Sequence, residues 1–199
     1  MPHFTSLKDY VVSTSENPLT SLFAGLRDAR RATNRDDNGK KNAGSHANWL
    51  GALGYMAVLD QIGSCFESTR LATGSSIERA MCHFSDLSDD DIQTVYALRC
   101  AFAHDYALIN VNRPDRTHHF ALVADGATPM IARPSTAWDG NVATITPANV
   151  TTVNLELLGD LVESVYKRLV QEANTGTLIN RFAGGLDELE KRYMIYITG

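Results

Sequence analysis

One short run of this chain combines residue types suited to acid–base and anion chemistry: Leu98-Arg99-Cys100-Ala101-Phe102-Ala103-His104-Asp105-Tyr106. Histidine titrates near neutral pH and serves as base or acid. Arginine stays charged and holds two phosphate oxygens in a fork. Together the two could move a proton and balance the charge of an oxyanion. Burying a guanidinium in so apolar a segment is costly unless it is paired. Arg99 therefore faces solvent, meets a carboxylate, or lines a site.

On a helix, Arg99 and His104 stand about 140° apart around the axis and about 7.5 Å apart along it. They do not share a face. They can flank one groove if a second helix crosses there, and Ala101 and Ala103 permit close approach. A two-fold partner would bring a second Arg99 and His104 to the same seam. A plainer account makes His104 a helix-terminal histidine near the last carbonyls and Arg99 an ion-paired arginine. A metal site using Cys100 and His104, one turn apart, with Cys82-His83 or His118-His119, lacks any complete ligand spacing.

The elements around this run read as mostly helical. Asn17-Pro18 has the form of a helix start, and Leu19, Leu22, Phe23 and Leu26 follow at helical spacing to about Arg31. Arg35 to Asn48 is polar, carries two glycines and reads as a loop, the best candidate for disorder. Trp49, Leu53, Met56, Gly63 and Phe66 mark a long helix. Ser75 to Glu78 has the capping-box form, and Ser88 followed by Asp89, Asp90 and Asp91 is a strong start for the helix carrying Arg99. Between 106 and 150, turn pairs and the short runs HFALV and VATIT predict strands, with Pro129 beside an edge strand. Helix resumes near Asn154, stops at Gly176, and a final amphipathic piece closes the chain.

Composition narrows the function classes. The 199 residues carry 18 Lys+Arg against 23 Asp+Glu, a net charge of −5, and 44% are hydrophobic. This suits one globular domain with a sizeable core and disfavours indiscriminate clamping onto long nucleic acid. Cys65, Cys82 and Cys100 form no framework, which points to a reducing, cytoplasmic setting. No run reaches a membrane span, and no secretory signal opens the chain. Phosphate-loop, dinucleotide, zincin and hydrolase-elbow motifs are missing. Arg27, Arg30, Arg31, Arg35, Lys40 and Lys41 form a basic cluster interleaved with Asp28, Asp36 and Asp37. A solvated helix end accounts for it, and within it Arg30 and Arg31 are the candidates for contact with an RNA backbone.

RCAFAH, Arg99 to His104, resembles the R-x4-6-H motif of the HEPN family, the higher-eukaryote and prokaryote nucleotide-binding domain. The match covers six residues, and the helices around it also suit the family. The residue patterns predict a mainly α bundle of five or six helices with a small β-rich insert at about 106–150, in one domain spanning 1–199, and the resemblance makes that bundle HEPN-like. It further implies a metal-independent endoribonuclease of toxin or defence type, without cofactor, whose composite site forms across a homodimer. Arg99 and His104 would be the catalytic pair, with Cys100 and Tyr106 beside the substrate. Partners would be RNA and an antitoxin or regulatory protein. Cys100 departs from the polar residue common after the motif arginine and is a weak donor. The alternative is a non-catalytic HEPN-like module that binds nucleotide, RNA or protein.

Overall fold

The computed structural model describes residues 4–12, 20–68, 74–111 and 117–195, with the side chains of His104 and Asp105 outside the description. Its helices are α1 (Leu7–Val11), α2 (Ser21–Ala32), α3 (Trp49–Cys65), α4 (Ser76–Phe84), α5 (Asp89–Asp105), α6 (Leu155–Thr175) and α7 (Gly185–Tyr193). Its strands are β1 (Phe66–Glu67), β2 (Ile109–Asn110), β3 (His118–Val123), β4 (Ile131–Ala132), β5 (Thr151–Asn154) and β6 (Ile179–Asn180).

Side-chain caps explain most helix starts, because the first backbone N–H groups have no intrahelical acceptor. Ser75 and Glu78 close a reciprocal capping box on α4. Ser88 accepts from Asp91 N at 3.2 Å, with three aspartates in the first turn of α5. Asn48 accepts from Gly51 N at 2.8 Å and donates to Ala32 O at 2.6 Å, tying the start of α3 to the end of α2. Gly176, at φ 75°, ends α6. The Asn17-Pro18 start lies outside the described residues; the described helix α2 begins at Ser21 behind a Thr20 cap.

Helix α3 is apolar around most of its circumference and packs against α2, α4, α5 and α6. Such a helix belongs in the interior. Tyr55, Met56, Leu59 and Ile62 on α3, Leu22 and Leu26 on α2, Met81 and Phe84 on α4, Leu98 on α5 and Val162 on α6 form one core.

The expected helical bundle with a separate β insert is not what forms. Helix accounts for about 54% and strand for 13% of the described structure, in two sheets of mixed topology. One sheet has the order β2-β3-β5-β4, with β3 and β5 parallel and the other neighbours antiparallel. Phe120 of β3 and Val153 of β5 are buried in the same core as the helices. The sheet is therefore a packing layer, continuous with α6 through the β5–α6 junction, and the fold is mixed α and β. The second sheet pairs β1 with β6 antiparallel, outside the predicted insert. Strands this short leave little periodicity in a sequence, and their partners lie far away along it.

Two local expectations also change. In VATIT, Val142–Thr144 forms a 3₁₀ turn capped by Asn141, with Val142 64% exposed. The 35–48 loop is bound rather than disordered. Arg35 is buried and donates to Asp160 Oδ1 at 2.7 Å, to Glu156 O at 3.1 Å and to Gly39 O at 3.1 Å. Lys41 adds an ion pair to Asp160 at 3.0 Å. Burial alone would raise the Asp160 carboxyl, but its hydrogen bonds to Lys41 and Arg35 outweigh that and hold it below the usual aspartate range. The β4 strand does sit at the edge of its sheet, as Pro129 beside it suggests.

Candidate functional site

Helix α5 presents Ile92, Val95, Leu98 and Phe102 to the core, which fixes its rotation and leaves Arg99 at the boundary with solvent. Arg99 Nε donates to Asp60 Oδ2 of α3 at 2.7 Å, and the two side chains are 29% and 26% exposed. Burial works against the charge of Arg99, yet the hydrogen bond and charge of Asp60 outweigh it, so its pKa is raised. The neighbouring Cys100 thiol also hydrogen-bonds the Arg99 side chain and adds to the upward shift. Anchored by Asp60 and 29% exposed, the guanidinium borders solvent, where an oxyanion can approach it.

Asp60 is the residue that motif reasoning missed. The signal was present: it is the lone charged residue of α3, WLGALGYMAVLDQIGSC. A single carboxylate in an apolar helix requires a partner, and the single guanidinium of the neighbouring apolar helix supplies one.

His104 lies in the last turn of α5, and its side chain is outside the described residues. Tyr106 ends the helix in the left-handed region, at φ 49° and ψ 42°, while Ala107 N returns to Ala101 O at 3.1 Å. That conformation costs a non-glycine residue on the order of 1 kcal/mol. The Tyr106 ring is 53% exposed and lies 5.0 Å from Trp49, which stacks on Phe102 at 4.8 Å. Cys100 is a half-buried free thiol.

The two remaining candidates are not gathered here. Arg30 turns inward, 5% exposed, and forks onto Glu163 through Nε at 2.9 Å and a terminal nitrogen at 2.7 Å. Tyr55 donates to the same carboxylate at 2.9 Å. Arg30 therefore braces α2 against α6 and offers no free fork to RNA. Arg31 is exposed on the last turn of α2.

No family model matches the chain, nor does any curated protein or solved structure. The chemistry must be read from the residues themselves. Among the described residues, no three of His, Cys, Asp and Glu cluster so as to hold a metal ion. No described helix is long and apolar enough to cross a membrane. On α3, Leu50, Leu53, Ala57 and Asp60 fall within a sector of about 80°. Leu50 is 68% exposed, and with Leu53, Gly54 and Ala57 it faces Gly25, Ala29 and Ala32 of α2 across an apolar groove of about 310 Å³. An apolar strip thus runs along α3 to the Asp60–Arg99 pair.

Proposed function

We propose that this chain is a metal-independent endoribonuclease of the HEPN type, acting in the cytoplasm as a homodimer with Arg99 and His104 at a shared seam. The observation that carries this reading is Arg99 on α5, which Asp60 anchors through Nε while the side chain stays 29% exposed. In this reading Arg99 balances the phosphorane charge. His104 takes the 2′-hydroxyl proton, and the second protomer's copy protonates the leaving 5′-oxygen, giving a cyclic phosphate and a 5′-hydroxyl. The apolar strip on α3 supports the seam, since it leads a hydrophobic contact surface to the pair. An antitoxin or regulatory protein would compete for that surface.

Purified protein should cut single-stranded RNA in excess chelator. His104→Ala and Arg99→Ala should each lower the rate by at least about 100-fold with an unchanged circular-dichroism spectrum. Cleavage that persists in both variants removes the pair from the mechanism. The Asp60 ion pair, which neutralises Arg99, together with Cys100 after the motif arginine, favours a second reading as a non-catalytic RNA- or protein-binding module. RNA retention by a folded dimer without any cleavage would select it.

A further inference from the structure

A separate cleft lies on the sheet, under the segment that joins β4 to β5. That segment is braced against itself. Thr136 N donates to Ala148 O at 3.1 Å, Trp138 Nε1 to Asn141 O at 3.0 Å, and Asn149 Nδ2 to Thr144 O at 2.9 Å. Trp138 is only 6% exposed and Asn149 9%. Folded over the starts of β3 and β5, the segment leaves a cleft of about 300 Å³ lined by His118, Arg133, Pro134, Trp138 and Thr151. That is the lower end of the range for small-molecule sites.

The cleft carries an ion-paired guanidinium and an imidazole beside apolar lining. His118 Nδ1 is engaged with Thr151 Oγ1 at 3.0 Å, which leaves Nε2 for a ligand. Arg133 is anchored to α5, through one terminal nitrogen to Asp91 and through the other to Thr94 Oγ1 at 3.4 Å, and remains 45% exposed. Asp91 orients Arg133. Burial first, and then the charge of Arg133, hold His118 below its ordinary pKa of 6.5. An anion seated between the two would relieve that repulsion. Pro134, Ala137 and Trp138 also line the cleft, and the indole N–H is already spent on Asn141.

We propose that this cleft binds a small aromatic ligand bearing an oxyanion, with the anion between Arg133 and His118 and the ring against Trp138 and Pro134. The site is independent of the ribonuclease reading: Asp91 and Arg99 are eight residues apart on α5, about 12 Å along its axis.

Phenyl phosphate, benzoate and inorganic phosphate distinguish the parts of this claim. In a Trp49→Phe background Trp138 is the remaining tryptophan, so its fluorescence reports occupancy. Phenyl phosphate or benzoate should quench it saturably with a Kd below about 1 mM, and the tighter of the two identifies the oxyanion. Inorganic phosphate should bind at least about tenfold more weakly, a difference of about 1.4 kcal/mol. His118→Gln and Arg133→Gln should each weaken binding about tenfold, whereas Arg99→Ala should leave it unchanged. In the unsubstituted chain, the His118 imidazole NMR signals should move on titration, which tests the site even if a variant fails to fold. No saturable binding by either aromatic anion, equal affinity for inorganic phosphate, or unmoved His118 signals would overturn the proposal.

Discussion

Glu163 shows how much a single carboxylate holds. It is 3% exposed, accepts two hydrogen bonds from Arg30 and one from the Tyr55 hydroxyl, and sits under Gly39. A Cβ on Gly39 would fall 2.1 Å from a carboxylate oxygen, and the residue's φ of 79° already favours glycine. Removing one partner of a buried ion pair leaves an uncompensated charge. Glu163→Gln should therefore lower unfolding stability by about 3–5 kcal/mol in urea titrations; a loss under about 1 kcal/mol would show that water reaches Arg30. The inward turn of Arg30 was legible in part. It lies four residues after Leu26, on the apolar stripe of α2, and a guanidinium there points to a buried acid before it points to RNA. Which acid was not legible, because Glu163 is 133 positions away. Asp60 could have been found from its isolation in α3.

At the scale of elements, helix boundaries were readable because caps are local: Ser75, Ser88, Asn154 and Gly176 each act within a few residues of themselves. Sheet order was not readable, since the parallel pairing of β3 with β5 joins segments about thirty residues apart and leaves no local mark. Helix packing hides a similar constraint at Gly63. An added Cβ there would lie 1.8 Å from Ser76 O and 2.8 Å from Ala80 N, where α4 starts against α3. At Gly25 on α2, an added Cβ meets Val58 Cγ2 at an ordinary 3.5 Å. Gly63→Ala should cost about 3 kcal/mol through forced separation of the helices. Gly25→Ala should be neutral or gain up to about 1 kcal/mol from helix propensity. Thermal melts of the two variants check the contrast, and equal behaviour would mean that the α3–α4 contact yields easily.

Across the whole molecule, the helices and the four-stranded sheet share one core, so a change at the sheet is felt in global stability. His118 offers a measurable case. Its folded-state pKa is lowered, first by burial and then by Arg133, so between that value and 6.5 the unfolded chain binds more protons than the folded one. His118 thus contributes its full stability above pH 6.5 and loses it as the pH falls through that window. Lowering the pH from about 7.5 to about 5.5 should destabilise the protein more than His118→Gln, as read by urea midpoints. An identical pH slope in the variant would mean that the imidazole titrates as it does in the unfolded chain. One shared core, but not its mixed architecture, was foreseeable from a chain of this length and apolar content.

The bond between Arg30 and Glu163 also makes the packing of the N-terminal helices depend on α6. The acids that pair with Arg30 and Arg35 in the folded protein, Glu163 and Asp160, both lie on α6. Closing the N-terminal helices over the two arginines without α6 would bury unpaired charge. Burying both guanidinium groups with their charges paired therefore depends on a helix that begins only at Leu155, which ties the packing of the first helices to the far end of the fold.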